Sequence, residues 1–285
     1  MTAPDVLLDG LTFGEGPRWH GGKLWFSDFY SHRVMTVDLD GKTETILEVP
    51  QRPLGLGWNT KGELLVVSML DKRVLRFDGK TAHPYADLSA LAGGPCNDMV
   101  IDAQGRAYVG NFGYDRHNGS PARTTCIALA GTDGSVKSAA EGLTFPNGMV
   151  ITPDGKTLIV GETFANRLSA FDIRDDGMLV NHRVFAETPG CFPDGICLDA
   201  EGAVWVTNPQ GDSVLRVFEG GRVAQKIHTG GRFSYACMLG GADQRTLFIV
   251  TNTGSGPAIA GKKSGRIEIV QVDVPGAGLP QSSIA

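Results

Sequence analysis

The feature that most constrains the fold is a segment that recurs six times along the chain. In each copy a tight turn, usually with glycine, precedes a short apolar strand that ends in a polar residue. The copies span residues 20–28, 60–68, 103–111, 153–162, 200–208 and 242–252. Glycine suits such turns because tight hairpins require a positive φ angle. Regular repeats of this length indicate that one structural unit is used six times.

Each repeat contains room for about four strands. A third apolar run follows most copies, as in residues 33–38, 73–78, 167–172 and 213–218. The same point of successive repeats recurs at intervals of 39 to 50 residues, and a period in the forties with four strands is typical of a β-propeller blade. We therefore predict an all-β fold, a six-bladed β-propeller that forms one domain over residues 1–285.

The ring must close, because an open propeller would expose a sheet edge. Little sequence follows the third strand of the sixth repeat, and residues 5–9 precede the first repeat. We predict that this N-terminal segment pairs as the outer strand of the last blade.

Composition excludes several classes of function. The net charge of −5 disfavours a nucleic-acid-binding surface, which needs a basic face. We expect no membrane span, because no apolar run approaches about 20 residues, and no signal peptide, because the N-terminus lacks a basic and then apolar segment. The five cysteines contain no C-x-x-C pair, which favours reduced thiols in a cytoplasmic protein.

One repeat position carries an oxygen-bearing side chain in four of the six copies. This position, just before the first strand, holds Glu15, Leu54, Asn97, Asn147, Asp194 and Ala236. Because the first strands of a propeller line its central channel, these side chains should form a ring at one end. Carboxylate and amide oxygens are hard ligands, so we predict that Glu15, Asn97, Asn147 and Asp194 bind one divalent metal ion. Ca²⁺ is favoured, and Mg²⁺, Mn²⁺ or Zn²⁺ are alternatives.

A metal ion in this position would favour hydrolysis of an ester or lactone. It could polarise a carbonyl and lower the pKa of bound water, and it could stabilise the oxyanion that forms when water attacks. Asp194, or Asp98 next to Asn97, is the candidate general base. The G-x-S-x-G motif of serine hydrolases and the complete P-loop motif do not occur in the sequence.

The substrate should lie near the longest insertion, residues 112–121, which follows the second strand of the third repeat. Loops beside a rigid scaffold commonly carry binding groups. The residues that we predict to contact substrate lie near this loop and the metal position: Asn97, Asp98, Asn111, Tyr114, Asp115 and Tyr235.

The repeated segments resemble those of the gluconolactonase/regucalcin (senescence marker protein) family from about residue 8 to residue 273. The resemblance is carried by residues 14–19, 97–102, 145–149 and 193–195, which read GEGPRW, NDMVID, FPNGM and PDG. It implies a six-bladed propeller that hydrolyses lactones with one divalent metal ion. By the same resemblance, Glu15, Asn147 and Asp194 are metal ligands, Asn97 is a metal or substrate contact, and Asp194 is the base.

One position departs from the family pattern. The sugar lactonases of the family have an arginine two residues before the Asn97 position, whereas this chain has Pro95. The aromatic residues Phe112, Tyr114, Phe233 and Tyr235 favour a less polar lactone or ester. The alternatives to a lactonase are an arylester hydrolase or lyase that uses the same metal ion, and a non-catalytic propeller that binds a partner.

Overall fold

The computed structural model describes residues 3–278, with only the backbone at His117. These residues form six antiparallel sheets of four strands each, which confirms the predicted six-bladed propeller. The ends of the predicted domain, residues 1–2 and 279–285, lie outside the described residues.

The first three blades each contain four strands that are consecutive in sequence. The first blade comprises β2 (Gly14–His20), β3 (Lys23–Asp28), β4 (Arg33–Val37) and β5 (Thr43–Glu48). The second comprises β6 (Pro53–Trp58), β7 (Leu64–Ser68), β8 (Arg73–Phe77) and β9 (Ala82–Asp87). The third comprises β10 (Cys96–Ile101), β11 (Ala107–Asn111), β12 (Thr125–Ala130) and β13 (Val136–Leu143).

The fourth and fifth blades follow the same order, and the sixth combines both ends of the described chain. The fourth comprises β14 (Pro146–Ile151), β15 (Thr157–Glu162), β16 (Arg167–Ile173) and β17 (Leu179–Glu187). The fifth comprises β18 (Ile196–Leu198), β19 (Val204–Thr207), β20 (Ser213–Val217) and β21 (Val223–His228). The sixth comprises β22 (Phe233–Gly240), β23 (Thr246–Asn252), β24 (Gly265–Gln271) and β1 (Asp5–Leu11). Short 3-10 turns occupy Phe29–Ser31, Arg116–Asn118, Thr163–Ala165 and Pro257–Ile259.

The N-terminal strand closes the ring, as predicted. β1 pairs antiparallel with β24, and the register places Asp5 opposite Ile269 and Leu11 opposite Gly265. Leu11 is buried in the cluster that also contains Phe248 and Ile267 of the sixth blade. The closing strand therefore provides both a hydrogen-bonded edge and part of a hydrophobic core.

The turn between the first two strands has the predicted backbone conformation. Glycines at this turn, among them Gly62, Gly105 and Gly155, have φ angles of 76°, 82° and 70°. In the sixth blade Gln244 takes the same place with φ 59°, so a non-glycine residue adopts the left-handed conformation there.

The innermost strands of five blades contain a β-bulge next to the ring positions, whereas Asp194 of the fifth blade lies just before β18, whose pairing is regular. In β14, Pro146 pairs with Glu162 and Met149 pairs with Val160. Between these two pairs β14 therefore advances by three residues and β15 by two. The sixth blade repeats this pattern, with Phe233 opposite Asn252 and Ala236 opposite Val250. Ala236 is therefore equivalent to Met149 and not to Asn147, and its assignment to the ring is wrong by two residues.

Glycine after a ring residue lets neighbouring blades approach closely. A Cβ atom at Gly148 would lie 2.6 Å from the backbone oxygen of Asp194 and 2.6 Å from the backbone nitrogen of Ile196. The Gly148 N–H instead donates a hydrogen bond to that oxygen at 3.1 Å. Gly195 makes the corresponding bond to Tyr235 O at 2.7 Å. The Asn-Gly and Asp-Gly pairs of the sequence thus combine a channel-facing side chain with a contact between blades.

Apolar side chains fill the spaces between adjacent blades. For example, Leu65 and Val67 of the second blade pack with Met99 and Val109 of the third. A separate cluster at one end of the channel is largely aromatic, and it surrounds the ring residues. Within residues 3–278, no helix has the length and apolar character needed to cross a membrane.

Candidate active site

The predicted ring residues meet in one cavity of about 400 Å³ at the end of the channel. Glu15, Asn97, Asn147 and Asp194 all line it, and so does Leu54 from the second blade. Tyr235, the residue before Ala236, contributes from the sixth blade. The repeat therefore converges as predicted, with a tyrosine in place of the expected alanine.

Hydrogen bonds fix the two amide side chains by their nitrogen atoms. Asn97 Nδ2 donates to Pro146 O at 3.2 Å. Asn147 Nδ2 donates to Thr163 Oγ1 at 3.1 Å, and that hydroxyl donates to Pro193 O at 2.7 Å. Because the nitrogens are held by protein acceptors, the amide oxygens remain available as ligands.

The two carboxylates lie in a strongly desolvated environment. Burial raises the pKa of Asp194 to about 8, an effect that is partly opposed by a hydrogen bond from Asn147. Burial also raises the pKa of Glu15 well above its usual range, and the negative charges of Asp194 and Asp98 raise it further. A buried carboxylate favours either protonation or a nearby positive charge.

This donor set fits a hard divalent cation. The buried ion pairs of the described residues use other carboxylates: those of Asp28, Asp98, Asp102, Glu162, Asp199 and Glu268. Glu15 and Asp194 are thus two acidic groups whose burial is not compensated by a salt bridge of this kind. Within residues 3–278, no three His, Cys, Asp or Glu side chains form a group able to hold a metal ion, so a cation here would also need the amide oxygens of Asn97 and Asn147.

Asp98 forms an ion pair with Arg18, although it was predicted to contact substrate or to act as the general base. Its Oδ1 accepts hydrogen bonds from Arg18 at 2.9 Å and from the Met99 N–H at 2.8 Å. Arg18 is buried, and its guanidinium also contacts the carbonyl oxygens of Pro17 and Met99. Asp98 is not among the residues that line the cavity, so direct substrate contact and a role as general base do not match its position. The ion pair links the first and third blades across the channel instead.

Three other predicted substrate contacts support the loop that follows β11. Asn111 is buried, donates to Cys126 O at 3.0 Å, and accepts from Gly113 N–H and the Thr125 hydroxyl. Tyr114 packs edge-on against Phe145, and Asp115 accepts a hydrogen bond from the Asn118 N–H. None of Asn111, Tyr114 and Asp115 lines the cavity. The polar groups of Asn111 and Asp115 bond within the loop instead.

The cavity walls are more aromatic than the sequence analysis expected. Phe112 stacks on Phe145 with ring centroids 4.4 Å apart, and Phe13 meets Tyr235 edge-on at 4.6 Å. Phe145 has a φ angle of 54°, which is unusual for a bulky residue. Phe145 is the first residue of the FPNGM segment, and from this segment only Asn147 was predicted to belong to the site.

One cationic residue at the cavity was also missed. Arg116, in the 3-10 turn after β11, lines the cavity together with Phe164, and its guanidinium carbon lies 5.1 Å from the centre of the Phe164 ring. The positive charge of Arg116 lowers the pKa of Asp194. Its only signal in the sequence was its position in the predicted substrate loop.

Known proteins of similar sequence include lactonases. The chain is 26% identical to the pentonolactonase XacC of Haloferax volcanii over 92% of its length and 89% of that protein. It is also 26% identical to the 6-deoxy-6-sulfogluconolactonase of Pseudomonas putida, over 96% of both chains.

Similarity of structure and a family model extend this result. A regucalcin of Agrobacterium tumefaciens, described as a calcium-binding protein, superposes with a TM-score of 0.82, 22% identity and coverage of 99% of this chain and 98% of its own. The model of the SMP-30/gluconolactonase/LRE-like region matches residues 13–253. Because this match includes the ring residues of the first five blades and two strands of the sixth, the chain belongs to the SMP-30/gluconolactonase/LRE-like family.

Proposed function

We propose that this protein hydrolyses a lactone in the channel cavity, using one divalent cation held by Glu15, Asn97, Asn147 and Asp194. The observation that carries the proposal is that the buried Asp194, the partly buried Glu15 and two anchored amides line one cavity of substrate size. The lactonase relatives support the reaction class.

The cation, when bound, would polarise the lactone carbonyl and make a bound water more acidic. Asp194 would accept a proton from the attacking water, because its carboxylate lines the cavity floor. The water oxygen bonds to the carbonyl carbon, the ring C–O bond breaks, and the proton passes to the departing ring oxygen. The product is a hydroxy acid.

The remaining residues orient and enclose the reactants. Asn147 donates to Thr163 and lies beside Asp194, which keeps that carboxylate directed at the cavity floor. The aromatic walls exclude water from the substrate and strengthen electrostatic interactions at the floor. An aryl ester is the second candidate substrate, because the same walls would accept its ring.

Oxygen donors of this kind favour Ca²⁺, while Mg²⁺, Mn²⁺ and Zn²⁺ remain to be compared. The calcium-binding description of the Agrobacterium regucalcin supports the same order. All five cysteines are free thiols, which supports the expected cytoplasmic location.

The test is hydrolysis by chelator-treated protein that receives one metal ion at a time. Sugar lactones, an alkyl lactone, dihydrocoumarin and phenyl acetate would be followed with a pH indicator. We expect activity on at least one lactone that is lost with chelator and restored by one of the four ions. Hydrolysis that persists unchanged in the stripped protein would contradict the role of the metal ion, and failure on every compound would contradict the hydrolase.

A further inference from the structure

The cavity has two surfaces of different chemistry. Its floor carries the acidic and amide groups, and its walls are formed by aromatic and aliphatic side chains. These wall residues include Phe13, Phe29, Phe112, Phe145, Phe164 and Tyr235. Leu54 and Met69 extend the apolar surface on the second blade. A substrate that reaches the floor therefore contacts both these apolar side chains and the polar groups of Tyr30, Gln210 and Ser255.

The cavity also offers polar groups to a substrate. Tyr30, Gln210 and Ser255 line it beside the aromatic rings, and the Tyr235 ring carries a buried hydroxyl. Each substrate hydroxyl needs a hydrogen-bond partner once it leaves water, or its desolvation costs binding energy. The cavity therefore suits a body that combines apolar surface with polar groups, and the lining alone does not select an aryl or alkyl substrate.

Arg116 adds a charge that the proposed hydrolysis does not require. Among the described residues that line the cavity, it is the only one with a positive charge. The 3-10 turn that carries it is fixed at both ends, by the Asp115 side chain bonded to the Asn118 N–H and by Gly119 in the left-handed conformation. The guanidinium lies on the Phe164 ring, which holds it at the cavity edge.

The charges of the site are unbalanced in a way that favours an anion. A divalent cation would neutralise Glu15 and Asp194, and Arg18 already neutralises Asp98. Arg116 then leaves the cavity with one positive charge. Guanidinium groups bind carboxylates through paired, charge-assisted hydrogen bonds.

We propose that Arg116 selects lactones that carry a carboxylate. The lactone carbonyl lies at the acidic floor, the body packs between the aromatic walls, and the carboxylate meets the guanidinium at the cavity edge. This inference rests on the lactone hydrolysis proposed above and specifies its substrate class.

The experiment compares charged and neutral forms of one substrate. Dihydrocoumarins with a carboxylate at each free position of the aromatic ring are matched with the corresponding carboxamides. We expect the wild-type kcat/KM to favour the carboxylate by about tenfold at one position or more, mainly through KM, because an exposed charged hydrogen bond contributes modestly. Added salt should reduce this preference, since Arg116 is exposed.

Variants in the loop that contains Arg116 test whether the preference for the carboxylate depends on this residue. Arg116→Gln should reduce the carboxylate-to-carboxamide ratio to about one, and Arg116→Lys should retain part of it. Arg123→Gln, an exposed position on the same loop that does not line the cavity, should keep the wild-type ratio. A wild-type ratio near one at every ring position, or an unchanged ratio in Arg116→Gln, would overturn the inference.

Binding measurements distinguish a failure of selection by Arg116 from a failure of the proposed hydrolysis. If no lactone is hydrolysed with any metal ion, calorimetry with the same carboxylate and carboxamide pairs still measures selection. Tighter binding of a carboxylate by wild type, lost in Arg116→Gln, would support Arg116 selection while the hydrolase fails. Equal binding of both forms would overturn Arg116 selection as well.

Discussion

Glu15 and Asp194 illustrate, at the scale of single residues, how this fold holds two acidic groups away from water. Glu15 lies beside the bulge of β2 and Asp194 lies just before β18, and both side chains reach the channel floor. Their burial raises both pKa values, while the nearby buried pair of Asp98 and Arg18 is already satisfied. A cation between Glu15 and Asp194 would therefore stabilise the ionised form of both carboxylates.

Replacing the proposed base should separate catalysis from folding. We expect Asp194→Asn to lower kcat for the best lactone by at least about 100-fold, since general-base catalysis contributes this much. The variant should remain folded, because asparagine occupies the equivalent position at Asn147. Asp40→Asn, an exposed substitution, is the control. Retention of more than a tenth of wild-type turnover would contradict the assignment.

The raised pKa values also predict how pH affects the stripped protein. Above the pKa of an unfolded aspartate, near 4, the folded Asp194 keeps a proton that the unfolded chain has lost, so stability falls as pH rises towards about 8. Melting temperatures of stripped wild type should therefore fall between pH 5 and pH 8 by several degrees more than those of stripped Asp194→Asn.

Added cation should reverse this loss. Because the ligands must be deprotonated, binding strengthens as pH rises, and the gain in melting temperature on adding Ca²⁺ should be larger at pH 8 than at pH 5. An equal gain at both pH values, or the same gain in Asp194→Asn, would argue against a cation between these carboxylates.

At the scale of strands and turns, the bulge in five of the six inner strands is the element that builds most of the site. It directs a ring residue towards the channel and brings the next residue against the neighbouring blade. Gly148 and Gly195 serve this second purpose, since a side chain at either position would meet backbone atoms.

A methyl group at one of these contacts should destabilise the propeller. Gly148→Ala would place Cβ 2.6 Å from backbone atoms of the next blade, and such overpacking costs about 1–3 kcal/mol. We expect a fall of several degrees in melting temperature. Gly261→Ala is the matched control, because no atom lies within 4 Å of its added Cβ and its φ angle is not in the left-handed region. Equal melting temperatures for the two variants would contradict this account.

The local parts of this architecture could be predicted from the sequence, and the non-local parts could not. Turn glycines, alternating apolar runs and the Pro-Asn-Gly and Pro-Asp-Gly segments act over a few residues, so the blades and four ring positions were found. Arg18 and Asp98 are 80 residues apart, and only the folded chain shows that they pair. The sixth ring position was misplaced because the connection between the first two strands is longer in the sixth blade. Met149 pairs with Val160, eleven residues on, whereas Ala236 pairs with Val250, fourteen residues on, and a count from the turn cannot detect this difference.

For the whole molecule, the sixth blade determines whether the ring is closed. It joins β1 to β24, and Leu11 adds buried apolar surface next to Ile267. The other five blades consist of consecutive strands, so the integrity of the ring depends most on this one long-range pairing.

Removing the closing strand should affect the entire protein. We expect deletion of residues 1–10 to lower the melting temperature by more than about 5 °C in a single transition, because it exposes the edge of β24 and part of the core. Deletion of residues 1–4, which end before β1, is the control. A melting temperature within about 2 °C of the full chain would contradict closure by β1.

The pairing of Asp5 with Ile269 also means that β1 must wait for its partner strand during synthesis on the ribosome. β1 leaves the exit tunnel first, and its partner strand leaves last. At a translation rate of about 5–20 residues per second, the wait is on the order of 10 to 50 seconds. Throughout this interval the nascent chain carries an unpaired strand and an incomplete ring, which makes it a candidate for chaperone binding until β24 emerges.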